Sequence, residues 1–153
     1  MSLSIVLVPL AVAVITSAMN GYSSAVAACA RGQNGRSEKI PTKYRSEELL
    51  KKTLMEHGAV VRKDGAGAVT ADFGSGKIRY DRPDESVPYD MQVFDVANLD
   101  DIVCSIREIN SEYGENVQSY AYHRVKDNLP EGMTLASEEV LEDNSILLTI
   151  NLN

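Results

Sequence analysis

No side chain from Met1 to Ala30 carries a charge at neutral pH, and Arg31 is the first that does. A run of that length without charge constrains the architecture before any motif does. Its most apolar part, Leu3 to Ala18, reads LSIVLVPLAVAVITSA, with only Ser and Thr as polar members. That falls a little short of the ~20 residues a helix needs to cross a hydrocarbon core, although the run continues uncharged to Ala30. Three readings are open. The first is a transmembrane helix over residues 3–18, in which Pro9 is tolerated. Arg31, Arg36, Lys39, Lys43 and Arg45 follow it and no Lys or Arg precedes it. That asymmetry puts the N-terminus outside and the C-terminal domain in the cytoplasm. The second is an export signal: Val26-Ala27-Ala28-Cys29 has the form of a lipoprotein processing box. It lies far beyond the apolar core, and no basic segment precedes that core. The third is a buried apolar helix that drives self-association, because its pattern is apolar all round and not striped.

A chain of 153 residues has room for one domain. Residues 1–30 form the leader, the polar 31–38 (RGQNGRSE) a linker, and 39–153 an α+β domain large enough to bury one core. Charge is unevenly spread. Up to Gly58 there are seven Lys/Arg against four Asp/Glu; from Ala59 onward there are eight against eighteen. The acidic part repels phosphate backbones, which argues against a nucleic-acid partner, while the basic strip suits an anionic membrane surface. Two cysteines, Cys29 and Cys104, define no disulfide framework. Cys104 reads as a small buried hydrophobe.

Along the domain, Lys39 to Tyr44 is an edge strand at best, because Pro41 removes a ladder donor. Ser46 with Glu47 and Glu48 behind it starts a helix that Gly58 ends. His57 in its last turn suits the negative end of the helix dipole. Strands follow at 59–61, 68–73, 77–80 and 89–96. The glycine clusters 65–67 and 74–76 join strand to strand; a phosphate loop would lead into a helix instead. The acidic loop Asp81 to Pro88 lacks the layout of a calcium loop. Asn98 caps a long helix whose Leu99, Ile102, Val103, Ile106, Ile109, Tyr113, Val117, Tyr120 and Ala121 return to one face. Gly114 is a place where it can bend, and Pro130 ends it. Two strands, 133–141 and 145–152, close the chain around an Asn144 turn. The expected fold is therefore α+β: one antiparallel sheet with two helices packed on one face, preceded by the N-terminal apolar helix.

Gln118-Ser119-Tyr120-Ala121-Tyr122, followed some twenty residues later by Val140-Leu141-Glu142-Asp143-Asn144-Ser145-Ile146-Leu147-Leu148-Thr149-Ile150, resembles the close of a small family of cyanobacteria, plastids and other bacteria. That family is known as a domain of unknown function and as a hypothetical chloroplast reading frame. The Leu49 to Leu54 helix ending at Gly58 is similar to its first helix. The resemblance covers roughly residues 39–152; the apolar leader departs from it. It implies no catalytic residues. Members occur beside AAA-type ATPases, which implies an adaptor role.

For chemistry the residues offer little. His57 and His123 are the two histidines, and no Cys/His spacing suits a metal. No catalytic, cofactor-binding or metal-binding residue is assigned, and no cofactor is implied. Tyr122 and His123 are the weak candidates for a pocket, as an acid/base pair; Tyr120 reads as core. The leading function is a non-enzymatic, membrane-tethered binding or adaptor module. It would take a protein partner and attach to the membrane through residues 3–18. The alternatives are a protein that self-assembles into a homo-oligomer through its apolar helix, and an enzyme with a Tyr/His pocket.

Overall fold

The computed structural model describes residues 1–7 and 39–153. Eight strands and two helices are present among them: β1 (Ser2–Leu7), β2 (Ile40–Pro41), α1 (Glu47–Glu56), β3 (Val60–Lys63), β4 (Val69–Asp72), β5 (Lys77–Asp81), β6 (Asp90–Phe94), α2 (Leu99–Asp127), β7 (Met133–Val140) and β8 (Ile146–Leu152). All pairings are antiparallel. The strands form two sheets where one was expected: β2-β6-β5-β4-β3 and β1-β8-β7.

Period-two alternation builds the larger sheet. Its register sets Val61, Ala71, Ile78 and Val93 in one cross-strand row, and Val69, Tyr80, Met91 and Ile40 in the next. Both rows share a face, and on it lie Leu50 and Leu54 of α1 with Ile102, Ile106, Ile109 and Tyr113 of α2. The opposite face carries Arg62, Thr70, Arg79 and Gln92 and is polar. The helix ends follow their caps. Ser46 Oγ accepts from Leu49 N and Asn98 Oδ1 from Asp101 N. Gly58 at φ +87° supplies the left-handed residue that ends α1. Gly114 is buried inside α2 and does not end it.

The start of the expected N-terminal apolar helix is the main correction. Ser2 to Leu7 is a strand, paired residue by residue with β8 from Ser2 opposite Asn151 to Leu7 opposite Ile146. The alternation SLSIVL explains it. Leu3, Ile5 and Leu7 lie opposite Ile150, Leu148 and Ile146 on one face, whereas Ser2 and Ser4 lie on the other. Leu148 and Ile150 are buried as a result. Residues 3–7 are thus part of the domain and not of a membrane-spanning helix. The rest of the expected span, the Val26–Cys29 box and the 31–38 linker lie outside the described residues. Among the described residues no helix is long and apolar enough to cross a membrane.

Two smaller corrections come from α2. Cys104 is exposed because it sits off the stripe formed by Ile102, Ile106 and Ile109. Tyr120 is 52% exposed, not core. Beyond Val117 the helix has left the five-stranded sheet and turns a different edge, through Gln118 and Tyr122, to the small one. Truncating a buried stripe residue should be costly. Ile109→Ala is expected to lower unfolding free energy by about 2–5 kcal/mol, and Val140→Ala, 69% exposed, by less than about 0.5 kcal/mol. Urea denaturation measures both.

Candidate functional site

The residues singled out from sequence, Tyr122 and His123, sit near the C-terminal end of α2. Tyr122 donates its hydroxyl hydrogen to Glu138 of β7, and Lys126 Nζ donates to the Tyr122 oxygen at 3.2 Å. Lys126 also lies 5.4 Å from the Tyr122 ring centroid. Its ammonium is held above the usual lysine range by that hydrogen bond and by the nearby Glu138 charge. Tyr122, Glu138, Glu139, Val140 and Ile146 line a cavity of about 300 Å³. His123 does not line it: exposed to solvent, it meets Tyr122 only edge-on, at 5.2 Å between ring centroids. The pair therefore does not converge on one space. Tyr122 is a tie between α2 and β7.

His57 has a different setting. It is the C-cap of α1, and its imidazole lies between two carboxylates of α2. Nε2 is 3.4 Å from Glu108 and Nδ1 3.5 Å from Glu112, with Phe73 against the ring. The two nitrogens point to different partners, so the residue braces the helices. Cys104 Sγ lies 3.6 Å from Glu108, and that carboxylate pushes the thiol up from its ordinary value, away from the reactive thiolate. No group of three or more His, Cys, Asp or Glu among the described residues has the arrangement to hold a metal.

A second cavity, which the sequence did not single out, opens at the start of α1. It measures about 440 Å³ and is lined by Lys43, Arg45, Ser46, Leu49, Pro88, Tyr113 and Val117. Tyr113 places it: its phenol oxygen accepts the backbone amides of Arg45 and Ser46, each at 3.1 Å. Its ring packs on Tyr44 at 4.6 Å between centroids, and Tyr44 in turn donates to Asn110. Arg82 reinforces the rim, donating to the Arg45 carbonyl at 2.8 Å and lying 4.2 Å over the Tyr89 ring. Lys43 and Arg45 are legible in sequence as part of the basic strip. Tyr113 and Val117 belong to the apolar stripe of α2, and nothing local announces that the two meet.

The third feature is a sheet edge. In β1-β8-β7 the two outer strands differ. β7 carries a bulge between Leu135 and Ser137 and has Glu138 and Glu139 along it, devices that discourage pairing. β1 is regular, uncharged and free of proline. Leu152 N donates to Met1 O, so alternation turns the backbone groups of Leu3, Ile5 and Leu7 toward β8. Those of Ser2, Ser4 and Val6 face outward, with no ladder partner among the described residues. Gln118 fixes the far end, donating to the carbonyls of Leu7 (2.9 Å) and Asn144 (2.7 Å).

No family model, curated protein or solved structure matches this chain.

The best-formed charge cluster is structural. Glu47 Oε1 lies 2.8 Å from both Lys51 and Lys63, and hydrogen bonds from those ammonium groups lower its carboxyl from 4.5 to about 2. The folded state thus favours the ionised form. Its contribution is complete above pH 4.5 and is lost as pH falls from there toward about 2. The pair is partly solvated, so the effect should stay under about 1 kcal/mol. Glu47→Gln is expected to flatten that part of the stability–pH curve, read by urea denaturation at low salt.

Proposed function

We propose that this protein is a binding module that takes an extended segment of a partner protein onto the outer edge of β1. The observation that carries this reading is the contrast between the two edges of the small sheet. One has a bulge and two glutamates, and the other presents regular, uncharged backbone. Adding a strand there satisfies the outward amides and carbonyls of Ser2, Ser4 and Val6, and side-chain pockets alternate along it as in other strand-addition complexes. Leu3 and Val6, 48% and 50% exposed, give the incoming strand apolar surface to cover.

Charge favours a different protein over a second copy. From Ala59 onward the chain has eight basic against eighteen acidic residues, so two copies brought edge to edge repel, while a segment flanked by Lys and Arg is attracted. An adaptor role fits this surface, and the family resemblance over residues 39–152 offers an AAA-type ATPase as one class of partner. On this reading residues 3–7, expected as the start of a membrane helix, are instead the edge that the partner strand pairs with.

Ser4→Pro tests the edge. It removes an outward amide and leaves the amides that face β8, so the fold should persist, as prolines on edge strands do. Retention of a partner by the full chain is expected to fall at least about tenfold while the unfolding midpoint stays near wild type. If the variant keeps its partner, the edge is not the site. If the wild-type chain is dimeric in sedimentation and the variant monomeric, the edge serves self-assembly instead.

A further inference from the structure

We propose that the cleft at the start of α1 binds a small carboxylate carrying a short apolar chain, an activity separate from the β1 edge. The walls and the mouth of this cleft ask for different chemistry. Leu49, Pro88 and Val117 make the walls apolar, and Lys43 and Arg45 stand at the mouth. Neither cation has a carboxylate partner among the described residues, although Lys39, Lys51, Lys52, Lys63, Lys77 and Arg79 each do. Arg45 reaches only the Ser86 carbonyl, at 3.2 Å. Two cations thus stand without a carboxylate partner over an apolar cleft of a strongly acidic domain. An anion with an apolar tail is complementary to both parts; an anion alone leaves the walls wet, and an alkane alone leaves the cations without a counter-charge.

Tyr113 supplies an independent observation. The residue is 4% exposed, lines the cleft, and has both oxygen lone pairs committed to the amides of Arg45 and Ser46. A phenol has one donor besides those acceptors, and no acceptor among the described residues takes it. A carboxylate oxygen in the cleft would. The positive end of the α1 dipole faces the same rim, where Ser46 is the N-cap. Glu47, beside the N-cap, is turned toward Lys51 and Lys63, and no Asp or Glu lines the cleft.

Titration of the full chain with octanoate, octanol and acetate tests this, by calorimetry and by the methyl resonances of Leu49 and Val117. Octanoate is expected to bind saturably and to shift both methyls, with octanol and acetate each weaker by about tenfold or more. Lys43→Gln, at an exposed site that leaves the fold intact, should weaken octanoate about tenfold and leave octanol unchanged. Val117→Trp should fill the cleft and abolish octanoate binding. Equal affinity for octanoate and octanol would overturn the proposal, as would octanoate binding that shifts neither methyl, is indifferent to Lys43→Gln, or is undetectable. Failure here leaves the β1 edge untouched, because Ser4→Pro and Lys43→Gln act on different surfaces.

Discussion

The length of α2 sets the rest of the structure. Its 29 residues span roughly 43 Å at 1.5 Å per residue. A five-stranded sheet of short strands is only about 20 Å across in either direction. The helix must therefore overhang its sheet, and its stripe of apolar residues continues into the overhang. Ile102, Ile106, Ile109 and Tyr113 are covered by the first sheet and by α1. The next residues need another surface, and the three-stranded sheet provides it, tied to the helix by Gln118 and Tyr122. The two ends of the chain meet there: β1 comes from the first seven residues, β7 and β8 from the last twenty-one. Without β1, Leu148 and Ile150 would lose the row of Leu3, Ile5 and Leu7 beside them.

Most of the domain was legible in the sequence because its signals are local. Ser46 and Asn98 are hydroxyl and amide caps just before helical periodicity, and both cap. Gly58 and Asn144 stand where left-handed backbone is needed, and both have positive φ. Pro41 sits in a two-residue strand at the edge of its sheet. The first residues of the leader, Ser2 to Leu7, form a strand where a helix was expected, for a physical reason. Beyond Leu7 the apolar residues run on, and a window spanning both segments sees only hydrophobicity. In Ser2-Leu3-Ser4-Ile5 the alternation is present but short, and its meaning depends on β8, more than a hundred residues away. Tyr120 was misplaced because the stripe was read with one orientation, whereas a helix serving two sheets changes its buried edge along its length; Cys104 simply lies off the stripe.

The cleft was illegible for a similar reason. Lys43 and Arg45 are two residues apart, but their significance comes from Tyr113 and Val117 on another helix. Tyr113 belongs to the core pattern and does its work through its hydroxyl, which joins the first turn of α1 to the middle of α2. Periodicity finds the ring and says nothing of the oxygen. Tyr122 shows the converse. It was singled out as a pocket residue, and its hydroxyl is spent on Glu138, so the same residue type serves as a tie at one station of the helix and as a wall at another.

The two edges of the small sheet show how a few residues decide what a surface can do. A strand edge invites pairing, and among the described residues the small sheet has three strands, so two outer edges for one central strand. On β7, the bulge at Leu135 and Ser137 twists the ladder, and Glu138 and Glu139 place charge where another strand would lie. Glu138 combines that defence with its bond to Tyr122, so removing it would loosen α2 as well as the guard. β1 has no equivalent. Its outward groups lie between Ser2 and Val6, Ile5 and Leu7 are half-buried while Leu3 is exposed, and the Leu7 carbonyl is already held by Gln118. With the Asn144 carbonyl held as well, Gln118 ties the start of β8 and the end of β1 to α2. Regular, uncharged backbone is what strand addition needs, and among the described residues β1 offers it where β7, with its bulge and two glutamates, does not.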